Sequence, residues 1–209
     1  MGIPDGLDAY RALSGGFAAP ADDPARYPLA RTIAEAELYI SLQPCHVCRE
    51  RALDTEGFDF DERAERVRLF RAVCGDCRAL RRFWFRFPVE PVPTGDGHQR
   101  FGGPQASELL DPGEWMIVAD DLLASVPADP RGLTAERAGQ AWQDADAALA
   151  AVEEVLKFLG PGEDRIPPAA FRSAEGGEVW RTGAWRFERA WLDSQLEICR
   201  NTLAAYPRG

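Results

Sequence analysis

Four cysteines form two pairs with the spacing typical of a metal site. Cys45 and Cys48 are separated by two residues, and so are Cys74 and Cys77, with 25 residues between the pairs. Two cysteines three positions apart at a tight turn direct both thiolates to one point, and two such turns complete a tetrahedral site of four sulfurs. The sequence therefore predicts one structural Zn²⁺ held by these four cysteines, with zinc favoured over iron.

Two other states of these cysteines remain open, namely four reduced, buried thiols without a metal, or a redox-active pair. His46, which follows Cys45, is an alternative ligand in place of one thiolate. A site closed by four sulfurs has no coordination position for a substrate, so the zinc is expected to stabilise the fold rather than to catalyse. The fifth cysteine, Cys199, lies on an apolar helical stripe and is expected in the core.

Strands and turns must bring the two cysteine pairs together. A capping-box pattern at residues 32–35 predicts a short helical turn, and residues 38–42 then predict a strand that leads into the first pair. Residues 67–73 and 81–87 predict two further strands, while residues 57–60 are expected to be irregular. An antiparallel, three-stranded zinc ribbon is therefore predicted around the metal.

Helices are predicted beyond the proline- and glycine-rich residues 91–104. Asp111 is an N-cap candidate, followed by proline at the first helical position and by glutamate three residues after the cap, which predicts a helix over 112–125. Thr134 is the cap of a longer helix with one continuous apolar stripe, and a final helix is predicted over 185–205.

The predicted fold class is α+β, a small antiparallel three-stranded zinc ribbon followed by an α-helical bundle domain. Its four parts are an extended, partly disordered arm (1–31), the ribbon (32–90), a linker (91–104) and the helical domain (105–209). The first residues lack the basic and apolar regions of a secretory signal, so a reduced, cytoplasmic location is expected. Apolar runs stay far below the ~18 residues of a membrane span, so no membrane association is expected.

The formal charge of −10 is unevenly distributed along the 209 residues. Residues 1–44 carry −3, residues 45–87 carry +2, and residues 88–209 carry −9, from 11 basic and 20 acidic side chains. An acidic chain is a poor general binder of polyanions. The charge therefore indicates a basic protein partner for the helical part rather than a nucleic acid.

Every charged side chain between Arg100 and Arg131 is acidic. The helix over 112–125 would then present an apolar strip with acidic borders, which suits a basic partner through electrostatic steering and an aromatic anchor. The residues predicted to contact the partner are Glu108, Asp111, Glu114, Trp115, Asp120 and Asp121. The alternative is an ordinary amphipathic helix with its apolar side in the core and its acids in solvent.

Arginines and aromatic side chains are frequent around the cysteine pairs, and Arg81 and Arg82 are candidate contacts of a nucleic acid. Acidic residues alternate with the arginines, and four thiolates around Zn²⁺ carry a net charge of −2. The ribbon is therefore close to neutral, and a nucleic-acid-binding regulator is kept as the alternative function.

Residues with typical catalytic chemistry are few. His98 is one of only two histidines, and it lies in a glycine-rich segment without the Gly-Lys-Ser/Thr ending of a phosphate-binding loop. The paired acids Asp120-Asp121 and Glu153-Glu154 are expected at solvated helix edges, because neighbouring helical positions point about 100° apart. No catalytic residue is predicted, and an enzyme with a purely structural zinc is the third hypothesis.

Three segments form a set along the chain: Leu38-Tyr39-Ile40-Ser41-Leu42-Gln43-Pro44-Cys45, Cys74-Gly75-Asp76-Cys77, and the run from Phe101 to Trp115. Together they resemble a group of uncharacterised proteins of high-GC, actinobacterial-type bacteria, over most of the chain. The resemblance implies a shared layout of a zinc ribbon plus helices, and it implies no activity.

The main functional hypothesis is a non-enzymatic, cytoplasmic zinc-ribbon protein that binds a protein partner. Its most concrete form is an immunity or antitoxin-like role against a basic toxin. Acidity, size and the scarcity of catalytic groups are its basis.

Overall fold

The computed structural model describes residues 24–51, 53–62, 65–88, 97–98 and 100–206, and of residues 57–62 and 65–66 it describes the backbone alone. These ranges contain a mixed α+β fold, as predicted. The strands are β1 (Leu53–Glu62), β2 (Glu65–Cys74) and β3 (Leu80–Phe87). The α-helices are α1 (Ile33–Leu42), α2 (Pro112–Ser125), α3 (Ala135–Leu156), α4 (Ala174–Gly183) and α5 (Arg189–Ala204), with 3₁₀ turns at Pro24–Arg26, Pro168–Ala170 and Ala184–Phe187. None of these helices is both long and apolar enough to cross a membrane.

The three strands form an antiparallel sheet with β2 in the centre. The second and third predicted strands are confirmed as β2 and β3. Residues 57–60, expected to be irregular, instead lie within β1, because each of them pairs with a residue of β2. On one face of the sheet the Phe70 ring lies 5.7 Å from that of Phe85. Helix α1 covers this face, since the Tyr39 ring meets Phe83 and Phe85 edge-on at 6.4 and 5.8 Å.

The strand predicted over 38–42 is wrong, because these residues complete α1. The Thr32 side chain accepts a hydrogen bond from the Glu35 N–H, so the helix starts as the capping pattern indicates, but it then continues for ten residues. Ala36 and Ile40, four residues apart on one face, are both buried. Packing of this face outweighs the weak strand preference of a short apolar run.

The predicted starts of α2 and α3 are confirmed. Helix α2 begins after Asp111 with a capping box, and α3 begins after Thr134, whose side chain accepts a hydrogen bond from a first-turn N–H. The last helix begins at Arg189, four residues later than predicted. The residues Ala184–Phe187 form a 3₁₀ turn instead, and this turn places Phe187 in the core.

One hydrophobic core runs through both predicted parts of the chain. It includes Ile40, Phe70 and Phe85 from the N-terminal part and Trp115 and Leu192 from the helical part. The sheet and the helices therefore stabilise each other by burying a shared apolar surface.

Much of the predicted arm and linker lies outside the described residues, namely residues 1–23, 91–96 and 99. The described end of the arm lies against β3, where the Ala30 N–H donates to the Arg86 carbonyl at 2.9 Å. In the predicted linker Phe101 is buried, with its ring 4.9 Å from that of Trp115. These described residues are packed against the rest of the fold.

Asp111 joins the starts of α2 and α4. Its Oδ1 accepts hydrogen bonds from the N–H groups of Gly113 (2.9 Å) and Glu114 (3.0 Å). Its Oδ2 accepts from the N–H groups of Arg172 (2.8 Å) and Ser173 (2.7 Å), just before α4. One fully buried carboxylate thus satisfies four backbone donors from two separate segments.

Replacing Asp111 by alanine should lower the free energy of unfolding by about 3 kcal/mol, from the lost cap and from the orphaned buried donors. Urea denaturation followed by circular dichroism measures this change. The matched control is Asp121→Ala on the exposed side of the same helix, which should stay within experimental error of the wild type. Equal effects of the two substitutions would contradict the joining role of Asp111.

Candidate metal centre

The structure brings the four predicted cysteines together. The Sγ atoms of Cys45 and Cys77 lie 3.5 Å apart, and those of Cys48 and Cys74 lie 3.4 Å apart. All four Sγ atoms lie within 4.8 Å of one another, and the four residues are not joined by disulfides. The first pair lies between α1 and β1. The second pair begins with Cys74, the last residue of β2, and Cys77 lies in the turn that leads to β3.

Both cysteine pairs sit in turns with the same backbone pattern. The Arg49 N–H donates to the Cys45 carbonyl at 2.9 Å, and the Arg78 N–H donates to the Cys74 carbonyl at 3.1 Å. Arg49 and Arg78 have φ angles of 71° and 61°, in the left-handed region that is uncommon for residues other than glycine. Two equivalent turns facing each other explain why the sulfurs converge on one point.

The dimensions of the sulfur cluster fit a tetrahedral metal site. With metal–sulfur bonds of about 2.3 Å, the sulfurs of a Zn–S₄ centre lie about 3.8 Å apart. The two shortest sulfur–sulfur distances, 3.4 and 3.5 Å, lie slightly below this value, and the upper limit of 4.8 Å lies about 1 Å above it. The four cysteines can therefore hold a metal ion after small side-chain adjustments. His46 is exposed and lies outside this cluster.

The thiols differ in acidity because their surroundings differ. Hydrogen bonds from the backbone N–H groups of Cys48 and Val47 lower the pKa of Cys45 to about 6. The backbone N–H of Glu50 lowers the pKa of Cys48, but burial and the neighbouring thiols outweigh it and raise this pKa to about 12. Without a cation, neighbouring sulfurs cannot all be deprotonated, because their negative charges would repel one another. A divalent ion removes this repulsion and displaces the remaining protons.

Cys199 lies apart from the cluster, within the core on α5. Burial raises the pKa of its thiol to about 11, so it stays protonated at neutral pH. The prediction of a small core residue is confirmed.

Arg81 supports the first cysteine turn from β3. Its Nη1 donates to the carbonyls of Pro44 (2.7 Å) and Gln43 (3.3 Å), directly before Cys45. The guanidinium also lies 4.6 Å from the centre of the Phe83 ring. Arg81 thus fixes the chain where it leaves α1 and enters the metal site.

Replacing Arg81 by methionine should weaken metal binding by about tenfold, because residues that orient ligands typically contribute this much. Competition with a chromogenic zinc chelator measures the affinity. Arg82→Met, at the neighbouring exposed position of β3, is the matched control and should bind metal as the wild type does. Equal affinities of all three proteins would show that Arg81 does not support the site.

Comparisons with protein-family models, with curated proteins and with solved structures were made for the whole chain. None gives a match. The interpretation of the site therefore depends on its own geometry and chemistry.

Of the six residues predicted to contact a partner, Asp111 and Trp115 are buried and Glu114 is half-buried. Trp115 is fully buried, so the exposed aromatic strip expected on the helix over 112–125 does not form around it. Asp111 is buried as the cap described above. Burial raises the pKa of Glu114, whose carboxylate accepts a hydrogen bond from the Asp111 N–H at 2.9 Å. These three side chains stabilise α2.

The other three acids, Glu108, Asp120 and Asp121, are exposed. Glu108 lies 3.2 Å from the Arg86 guanidinium of β3, and Asp120 accepts two hydrogen bonds from Arg186 at 2.6 and 2.7 Å. On α2 itself, Asp120 and Asp121 are the exposed members of the predicted set, so the acidic border of this helix is smaller than the sequence indicated.

A buried ionic cluster lies between the N-terminal helix α1 and helix α3, and the sequence pattern did not reveal it. Arg31 Nη2 lies 2.6 Å from Glu35 Oε1 and 2.8 Å from Glu154 Oε2, and all three side chains are almost fully enclosed. Lys157 Nζ lies 2.5 Å from Glu154 Oε1, and Ser107 Oγ donates to Glu35 at 2.6 Å. The cluster joins the arm, α1, the 101–107 segment and α3.

The expectation that Glu153 and Glu154 straddle a solvated edge is wrong for Glu154. Its carboxylate turns inward because Arg31 and Lys157 neutralise it there. The only available signal was the four-residue spacing of Arg31 and Glu35, which is too common to indicate burial.

His98 is held against α3 by an acid far away in the chain. Its Nδ1 lies 2.5 Å from Oδ1 of the buried Asp146, and its ring centre lies 5.6 Å from that of Trp142. A carboxylate at this nitrogen fixes the orientation of the imidazole. The partners are 48 positions apart in the sequence, so no local motif could have indicated the pair.

Proposed function

We propose that Cys45, Cys48, Cys74 and Cys77 hold one structural Zn²⁺. The observation that supports zinc is the donor set, since four thiolates in a tetrahedral arrangement are the ligands of structural zinc sites. The bound ion would supply positive charge that stabilises the thiolates and links the α1–β1 turn to the β2–β3 turn. With four protein ligands, it leaves no position for substrate.

We further propose that the sheet with its two cysteine turns acts as a zinc ribbon, a rigid platform for the helical part. The shared core supports this role, because α1, β2 and β3 pack into the same cluster as α2, α3 and α5. A metal that fixes the turns at one end of the sheet then also limits the movement of the helices that pack on it.

We propose that the chain is a non-enzymatic cytoplasmic protein that binds a basic protein partner through its helical part. The observation that carries this proposal is the charge of −9 in residues 88–209, together with the exposure of Glu108, Asp120 and Asp121. Excess surface charge of one sign steers and selects oppositely charged partners. An immunity or antitoxin-like role against a basic toxin is its most concrete form.

The test is a calorimetric titration with the protein encoded by the adjacent gene, at low and at physiological salt. We expect a complex at micromolar concentration that weakens as salt increases, because screening reduces charge steering. At either salt concentration, Asp121→Asn should bind the partner more weakly than the wild type. Glu56→Gln, which removes an exposed acid on β1 instead, should bind as the wild type does. Absence of a complex at both salt concentrations would count against the proposal.

Contacts within the sheet argue against nucleic-acid binding as the main function. Arg81 donates to the backbone before Cys45, and Arg86 donates to the Tyr27 carbonyl at 3.0 Å and lies beside Glu108. Arginines that bind backbone carbonyls and a carboxylate of the same chain are less able to contact phosphates. Retention on DNA or RNA at physiological salt, lost in Arg82→Met, would favour the nucleic-acid alternative instead.

A further inference from the structure

The two closest sulfur contacts of the metal site each join one cysteine turn to the other. Cys45 Sγ lies 3.5 Å from Cys77 Sγ, and Cys48 Sγ lies 3.4 Å from Cys74 Sγ. A disulfide bond has a length of about 2.0 Å, so the sulfurs of each pair need to approach by about 1.5 Å to become bonded. The four cysteines that can hold a metal ion are therefore also placed to form two disulfides between the turns.

The two members of each pair differ in their access to solvent. Cys77 is exposed and Cys48 is half-buried, whereas their partners Cys45 and Cys74 are fully buried. Redox-sensitive cysteines typically combine an accessible sulfur, which meets the oxidant, with a neighbouring sulfur that completes a disulfide. Both pairs have this combination, and Cys77 is the most accessible of the four. Cys199 is fully buried outside the cluster, so it has neither property.

Resting on the proposed zinc site, we infer that Cys77 is the oxidation site of a peroxide-sensitive zinc centre. A hydroperoxide converts the four sulfurs into two disulfides, Cys45–Cys77 and Cys48–Cys74, and the ion is released. The two turns then remain joined by covalent bonds instead of by a metal. Disulfides in reducing compartments are usually transient and sense redox conditions, which agrees with the proposed cytoplasmic location.

The reaction of one pair with hydrogen peroxide balances in two steps. The Cys77 thiolate attacks a peroxide oxygen: an S–O bond forms, the O–O bond breaks, hydroxide leaves, and the sulfur loses two electrons to become a sulfenic acid. The Cys45 thiolate then attacks the Cys77 sulfur: an S–S bond forms, the S–O bond breaks, and a second hydroxide leaves. Two protons from solvent convert both hydroxides to water.

The second pair, Cys48 and Cys74, reacts with another molecule of peroxide in the same way. Loss of the four thiolate ligands releases Zn²⁺ without a change in its oxidation state, because only thiolates hold it. Oxidation of one pair already leaves too few ligands for a closed site of four sulfurs.

The test treats the zinc-loaded full chain with hydrogen peroxide and follows the released zinc with a chromogenic chelator. We expect about two molecules of peroxide to release the zinc of one chain. Dithiothreitol followed by added zinc should restore the bound ion, since dithiols reduce disulfides but not sulfinic acids. Cys199→Ser, which removes the thiol outside the cluster, is the matched control and should release zinc at the wild-type rate.

Tryptic digestion without reductant identifies the pairing of the oxidised cysteines. Trypsin cleaves after arginine, so Cys45 and Cys48 remain in one peptide, 32–49, and Cys74 and Cys77 remain in another, 72–78. Disulfides between the turns join these two peptides, whereas disulfides within the turns leave them separate. We expect the joined product in mass spectrometry, and separate peptides would overturn the inference.

A single equivalent of peroxide identifies the first site of oxidation. Iodoacetamide then blocks the remaining thiols before digestion. We expect Cys45 and Cys77 to be joined and Cys48 and Cys74 to carry the alkyl group, in at least about fivefold excess over the reverse pattern, because the exposed sulfur meets the oxidant first. The reverse pattern, or an equal mixture of the two, would overturn the assignment of Cys77.

The outcomes separate this inference from the proposed zinc site. A chain that binds no zinc would overturn both. A zinc-loaded chain that keeps its ion under peroxide, or that loses it without forming disulfides between the turns, would overturn this inference alone and leave the structural zinc in place.

Discussion

Replacing Cys45 and Cys74 together by serine should remove the bound metal and lower the Tm by more than about 10 °C. One cysteine is taken from each turn, so neither turn keeps two sulfur ligands. A metal that binds only the folded chain adds its binding free energy to the stability of the fold, and this contribution is lost with the ligands. Metal analysis of the wild type should find one zinc per chain, and analysis of the variant should find none.

The matched control is Cys199→Ser, the same change at a buried cysteine outside the cluster. It should retain one zinc per chain, and its Tm should fall only by the effect of burying a hydroxyl group. A wild-type protein that is purified without metal and unfolds at the same temperature as Cys45→Ser/Cys74→Ser would contradict the zinc proposal.

The metal site could be predicted because its signal is local. Each pair of cysteines is held by one turn, so the spacing within Cys45–Cys48 and Cys74–Cys77 specifies the geometry within each pair. The two turns come together because β1 and β2 pair as a hairpin, which places Leu53, shortly after the first cysteine pair, opposite Cys74. The strand predicted over residues 38–42, directly before the first cysteine pair, was wrong. These residues form a helix because Ala36 and Ile40 pack into the core.

The exposure of side chains in the helical part was predicted less well because burial depends on the whole fold. The charged residues nearest Trp115 in the sequence are all acidic, but the ring itself packs against Phe101. Exposure of Trp185 arises from a 3₁₀ turn that orients Phe187 inward, and no local pattern distinguishes these two aromatic residues. Charge could thus be assigned to a region, whereas the burial of each aromatic side chain required the three-dimensional structure.

Arg31→Met should lower the free energy of unfolding by about 3–5 kcal/mol, the largest effect expected from a single substitution in this chain. The change leaves Glu35 without its main partner and Glu154 with Lys157 alone, both inside the fold. Burial alone would lower the pKa of Arg31, but the ion pairs with Glu35 and Glu154 raise it, so the wild-type side chain is charged. Urea denaturation measures the loss.

The matched control is Arg131→Met, because Arg131 is 88% exposed and pairs with Asp129 at 2.8 Å. Solvent screens this pair, so its loss should not change the unfolding free energy measurably. A double-mutant cycle of Arg31→Met and Glu35→Gln should give a coupling energy of at least about 1 kcal/mol, since neutralising Glu35 removes the buried charge that Arg31→Met leaves behind. Additive effects in that cycle, or equal stability of Arg31→Met and Arg131→Met, would show that the buried cluster does not hold α1 and α3 together.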